Sequence, residues 1–151
     1  MTDNPLKNNK RYLVSACLAG VNCRYDGQST PVETVLELLR QGRALPVCPE
    51  QLGGLPTPRA CCELQQGRVM NTEGQNLTEA FTRGAAEALR LSQLFGATHA
   101  ILKSRSPSCG YTQIYDGSFS GALIPGNGIF AELLLKHEYL MLTELDVEDE
   151  S

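Results

Sequence analysis

Tyr12-Leu13-Val14-Ser15-Ala16-Cys17-Leu18-Ala19-Gly20 decides the fold. Tyr12–Cys17 is a short apolar run without helical periodicity, so it reads as a buried strand. Ala19 to Gly27 follows, rich in turn-forming residues, so the strand ends near the cysteine. Ala44–Cys48 repeats the pattern and is closed by Pro49. His99–Lys103 repeats it again, followed by the turn-rich Ser104–Tyr111. Tyr139–Leu142 reads as a last strand.

Helical stripes alternate with these runs. Val32, Val35, Leu36, Leu38 and Leu39 predict a helix whose start is marked by Thr30-Pro31 and Glu33. Leu77–Phe95 carries apolar residues at helical spacing and is capped by Gly96. Ile129–His137 predicts a shorter helix, Leu64–Met70 a small hairpin, and Gly53 to Pro58 an irregular loop. Strands alternating with helices predict a single compact α/β domain, Rossmann-like, with a short, mostly parallel sheet flanked by helices. Ligands gather outside the carboxyl ends of such strands. Three cysteines, Cys17, Cys48 and Cys109, are thereby expected to converge without any CxxC motif.

Composition narrows the class. The chain has 151 residues, the length of one domain, and is 42% hydrophobic and 20% charged. Net charge is −4, but five acids lie in the last eight residues (Glu144, Asp146, Glu148, Asp149, Glu150), and the remainder holds 12 acids against 13 bases. A near-neutral body argues against a broad nucleic-acid surface and permits a monomer or a homodimer. Residues 1–10 read as a flexible leader, 11–143 as the domain and 144–151 as a solvated acidic tail. No run reaches the ~18 apolar residues of a membrane span. Only Tyr12, Leu13 and Val14 separate Arg11 from the box at Ser15–Cys17, too few for a signal peptide. The expected place is the cytoplasm, where cysteines serve as metal ligands, catalytic groups or core residues more often than as disulfides.

Each of Cys17, Cys48 and Cys109 is flanked by small residues, Pro or Gly, whose loops offer backbone N–H groups to thiolate or cluster sulfur. Cys23, Cys61 and Cys62 fit this setting less well and read as buried hydrophobes or inert thiols. Zinc and an iron–sulfur cubane are both chemically open. Zinc sites usually hold two ligands close in sequence, and His99 and His137, the only histidines, read as structural. A cubane on three cysteines keeps one iron open to substrate.

Glu50, two residues after Cys48, can carry protons or orient water in the same pocket. Ser104, Ser106 and Ser108 are candidate donors to substrate. Lys103 can hold an anion or neutralise a cluster. Asn22, Arg24 and Asp26 can read a base edge. Gly126-Asn127-Gly128 is a weak candidate phosphate seat.

Four segments together resemble one family: Val14–Gly20, Cys23–Gly27, Cys48–Arg59 and Lys103–Gly110. The order and content of these motifs are similar to those of the thiouracil desulfurase family, over nearly the whole chain. The resemblance implies a compact α/β fold with a [4Fe–4S] cluster on Cys17, Cys48 and Cys109, one iron being left without a protein ligand. It implies removal of sulfur from thiouracil or its nucleotides through a cluster-bound sulfide, with Glu50 and Ser106 catalytic. Asn22, Arg24, Asp26, Lys103 and Ser104 are then expected to bind substrate. Two other readings stay open: an iron–sulfur sulfide donor in RNA thiolation, and a zinc-stabilised binding module.

Overall fold

The computed structural model describes residues 4–147. Four strands form a parallel sheet in the order β2-β1-β5-β8: β1 (Tyr12–Ser15), β2 (Ala44–Val47), β5 (His99–Leu102) and β8 (Leu140–Thr143). Tyr12 pairs with Ala44 on one side and with His99 on the other, and His99 pairs with Leu140, so the strands start and end level.

Two hairpins lie outside this sheet, β3 (Cys62–Gln65) with β4 (Arg68–Asn71), and β6 (Gln113–Tyr115) with β7 (Leu123–Pro125). Buried Glu63 ties them together by accepting from the amides of Gly117 and Phe119, both at 3.0 Å.

Both faces of the parallel sheet are covered, which is why its strands read as continuous apolar runs. Tyr12, Val14 and Ile101 face α1 (Glu33–Arg40), packing with Val35 and Leu38. Leu13, Ala100 and Leu102 face α3 (Thr78–Phe95) and α4 (Ile129–Lys136), packing with Ala88, Leu89, Phe130 and Leu134. Gly96 closes α3 in the left-handed conformation, as its sequence implied.

Several expectations need correction. The first helix starts at Glu33, not at Thr30-Pro31. Thr30 and Val32 donate their amides to the carbonyls of Cys17 and Leu18, so this segment is held along the first cysteine loop. Residues 49–52, between the expected strand and the loop from Gly53 and assigned no element from the sequence, form the short helix α2 (Pro49–Leu52). The glycine-rich stretch after Asp116 holds β7 of a hairpin, which local turn composition concealed.

The leader is tied down where it is described. Pro5–Lys7 forms a 3-10 turn, Pro5 is buried, and Arg43 binds the Pro5 carbonyl and the Asn8 side chain at 2.8 Å each. Residues 148–151 of the acidic tail lie outside the described residues. Glu144 and Asp146 belong instead to α5 (Glu144–Val147), and Glu144 is buried, because its carboxylate finds partners at the end of β5.

Candidate active site at the carboxyl ends of the strands

From β1 the chain crosses to β2 on one side, and later returns as β5 on the other side of β1. The carboxyl ends of β1 and β5 therefore flank the point where strand order reverses, the usual ligand crevice of such sheets. A cavity of about 380 Å³ opens there. Ser15, Ala16 and Cys17 reach it from β1, Val47 and Cys48 from β2, and Lys103 to Pro107 with Cys109 from β5. The Lys103 amide donates to Ser15 Oγ at 2.9 Å across the crevice.

The predicted trio of cysteines shares this cavity, and the other three line it as well. Cys23, expected as a buried hydrophobe or an inert thiol, is buried in the core on the α1 side and hydrogen-bonds through its side chain to Cys17 and Cys48. Cys61 and Cys62 line the wall at the start of β3. The hydrogen bond to Cys17 is the main force that pushes the Cys23 thiol up to about 11, opposed by the bond to Cys48 and joined by burial. Cys48 is raised by its bond to Cys23, by burial and by the nearby Glu50 carboxylate. Burial raises Cys109, with Glu50 adding to it and the Ser15 and Ser108 hydroxyls opposing it. Free of metal, these thiols keep their protons; a metal displaces them on binding.

Backbone packing places the second cysteine loop. A Cβ on Gly53 would lie 2.1 Å from the Ala80 carbonyl oxygen, and one on Gly84 would lie 1.8 Å from that of Pro49. The two glycines let α2 touch α3 backbone to backbone, and this seats Cys48 and Glu50 at the cavity. Glu50 Oε2 is paired with Arg59 at 3.2 Å, the two side chains being only 15% and 7% exposed. Arg59 also donates to the Cys23 carbonyl at 3.0 Å, and its amide donates to the Tyr25 carbonyl at 2.8 Å. Arg59 thus joins the first and second cysteine loops. The sequence reading gave it no role, although it ends the Cys48–Arg59 motif.

The third loop is organised differently. Ser106 Oγ accepts from the amides of Ser108 and Cys109, both at 3.0 Å. The Cys109 N–H is therefore used within the loop and is not offered to a ligand, contrary to expectation. The amides of residues 128–131 at the start of α4 donate to carbonyls of Gly110, Pro107 and Ser108. The expected phosphate seat at Gly126–Gly128 is consumed by this docking. A Cβ on Gly128 would meet the Ser108 carbonyl oxygen at 2.4 Å, so this approach requires glycine.

Ser104, expected to donate to substrate, donates to Glu144 instead. Its hydroxyl reaches Glu144 Oε2 at 2.6 Å and its amide reaches Oε1 at 2.7 Å, while Lys103 Nζ lies 3.1 Å from Oε2. Burial alone would raise the Glu144 carboxyl. The Ser104 bonds and the Lys103 charge outweigh it and hold the group below its ordinary value.

Arg24, Lys103, Ser104 and Ser106 line the cavity, whereas Asn22 and Asp26 do not. The Cys23 amide donates back to the Val21 carbonyl, a tight turn that leads Cys23 inward and leaves Asn22 exposed. Asp26 binds the Gln28 amide and pairs with Arg24 at 3.7 Å.

The donor set fits an iron–sulfur cluster. Thiolates select soft metals. Among the described residues, Ser108 Oγ is the buried side-chain polar atom without a partner, and it adjoins the Cys109 sulfur, where a metal-bound thiolate would accept its proton. Among the same residues no group of three or more His, Cys, Asp or Glu could hold a single metal ion. His99 and His137 do not line the cavity. The cysteines that line the cavity come from separate loops, and a cubane accepts such dispersed thiolates more readily than tetrahedral zinc does.

The family profile of 2-thiouracil desulfurase matches residues 12–146, spanning all three cysteine loops and the Glu144 turn. The chain belongs to the 2-thiouracil desulfurase family. A relative of this chain, the uncharacterised protein YbbK of Bacillus subtilis, is 37% identical over 91% of this chain and 97% of that one. A solved structure, the [4Fe–4S]-dependent thiouracil desulfidase TudS, superimposes with a TM-score of 0.88 at 42% identity, covering 91% of this chain and 93% of TudS. The α/β desulfurase fold is therefore common to both.

Proposed function

We propose that the protein is a [4Fe–4S]-dependent desulfurase that converts thiouracil, as free base or nucleotide, into uracil and sulfide. The convergence of Cys17, Cys48 and Cys109 on one cavity beside Glu50, in a member of this family, carries the reading. The three thiolates would hold the cluster. Bound there, it supplies an iron without a protein ligand, a soft Lewis acid for a thiocarbonyl that makes the ring carbon electrophilic.

The protein's own groups supply the rest. Arg59 engages Glu50 Oε2, leaving Oε1 to take a proton from the attacking water. The ring C=S becomes C=O, water contributes the oxygen and sulfide leaves with the protons, so no net electron transfer is needed. Ser106 uses its lone pairs on two backbone amides, which leaves its O–H to donate to substrate. Phe81, Ala16 and Val47 line the cavity with apolar surface that excludes bulk water. Arg24 and Arg105 also line it and suit the phosphate of a nucleotide.

No helix among the described residues is long and apolar enough to cross a membrane. The cytoplasm, which keeps six free cysteines reduced, is the compartment this chemistry needs. Anaerobically iron-loaded protein is expected to bleach the near-ultraviolet band of 2- or 4-thiouracil and release sulfide over many turnovers. An unchanged spectrum with every thiouracil and nucleotide tried would overturn the reading. Release of a single equivalent, without turnover, would point instead to a sulfide carrier.

A further inference from the structure

We propose that Ser104 and Ser106 read the imide edge of the pyrimidine with fixed and opposite polarity, Ser104 accepting the N3–H and Ser106 donating to the neighbouring exocyclic oxygen, and that buried Glu144 is the positioning residue that sets it. This deepens the desulfurase reading and rests on it.

A serine hydroxyl has one proton and two lone pairs, and the protein can commit either. Ser104 has its proton committed. Glu144 Oε2 takes it at 2.6 Å, and a carboxylate can only accept. The carboxylate is held in place by the Ser104 amide on Oε1 and by Lys103 on Oε2. Ser104 lines the cavity, so what it offers there is lone pairs. Ser106 is the reverse case. Two amides occupy its lone pairs at 3.0 Å, so what it offers is its proton. Arg105 between them sits in the left-handed region at φ 69°, a strained conformation for a non-glycine residue, and both neighbouring serines face the same cavity.

The ligand that matches an acceptor beside a donor is a ring N–H beside a carbonyl. N3 of a thiouracil lies between the two exocyclic groups, so either isomer presents sulfur, N–H and oxygen in that order. N1 is not read, which leaves room for a ribose there. Cytosine presents a lone pair at N3 and opposes Ser104 with an acceptor.

The test is calorimetric titration of the iron-loaded protein with uracil, 1-methyluracil, 3-methyluracil and cytosine, with sulfide release from 2-thiouracil measured alongside. Uracil and 1-methyluracil are expected to bind within about threefold of each other, and 3-methyluracil and cytosine about tenfold or more weaker, the effect of one lost or opposed hydrogen bond. In Glu144→Gln the backbone-fixed Ser104 N–H keeps the amide oxygen and the flexible, part-exposed Lys103 turns away, so the amide N–H faces Ser104 Oγ and turns its proton into the cavity. The preference for uracil over cytosine is then expected to fall by about tenfold or more. Ser104→Ala should erase the difference between 1-methyl- and 3-methyluracil, and a purely structural role for Glu144 would not shift these ratios.

Equal binding of the two methyluracils, or an unchanged uracil-to-cytosine ratio in folded Glu144→Gln, overturns the proposal. The ligand series on the native protein decides it even if the variants do not fold. Sulfide release without an N3 preference removes the edge reading and leaves the desulfurase standing. No sulfide release removes the desulfurase, and the titration still decides the edge.

Discussion

The cavity has two unlike walls. The wall beyond β1 and β2 carries Cys17, Cys23 and Cys48, held by α2 packed on α3 and by Arg59. The wall beyond β5 and β8 carries Ser104, Ser106 and Cys109, held by short hydrogen bonds to Glu144 and to backbone amides, with the start of α4 docked behind. The first wall is built of thiols, soft donors of the kind that suit a metal. The second is preorganised before anything binds, as a surface that recognises a polar edge must be. Cys109 lies on the second wall, so a cluster on the trio would bridge the two.

The bridge is the first thing to break. Replacing Cys17, Cys48 or Cys109 with Ala should abolish sulfide release from thiouracil, whereas Cys62→Ser should keep it within about threefold, read by a sulfide assay. Glu50→Gln tests the chemistry on the first wall: kcat should drop by about 10²–10⁴-fold while iron content is unchanged. Gly84→Ala tests the packing beneath that wall, by pushing α2 away at Pro49. We expect a loss of about 1–3 kcal/mol in denaturant unfolding and a drop in kcat, with the serine wall still discriminating the methyluracils.

The smallest effect concerns the second wall. The Glu144 carboxyl is depressed in the folded protein, so the stability it adds is present above its ordinary value of 4.5 and is lost as pH falls through the folded value. Acid unfolding of the native protein should therefore be steeper below about pH 4.5 than that of Glu144→Gln. Parallel curves would remove Glu144 as the electrostatic anchor of this wall.

The walls also differ in how far they could be read from the sequence. The parallel strands were legible because strands buried on both faces are short apolar runs, and α3 because its apolar residues recur at helical spacing. Strand ends then located the cysteine loops. Glu50 was legible from its spacing to Cys48. Arg59 was not given a role, because its meaning lies in Glu50 and Cys23, which only the fold brings to it. Glu144 was hidden among the acids of the C-terminus, where local composition predicts solvation, while its partner Ser104 lies 40 residues away. Ser104 was expected to donate to substrate, whereas its proton goes to Glu144, since the direction of a hydroxyl is set by its partner. The cavity holds six cysteines, and the preference for three of them came from their strand-end settings and the family resemblance.

The most direct test is a count of iron and acid-labile sulfide in anaerobically prepared protein and its cysteine variants. The account predicts about four of each per chain in the native protein and in Cys23→Ser, and loss of the cluster in Cys17→Ala, Cys48→Ala and Cys109→Ala. Zinc without labile sulfide, or a cluster that survives Cys109→Ala and disappears in Cys23→Ser, would contradict it.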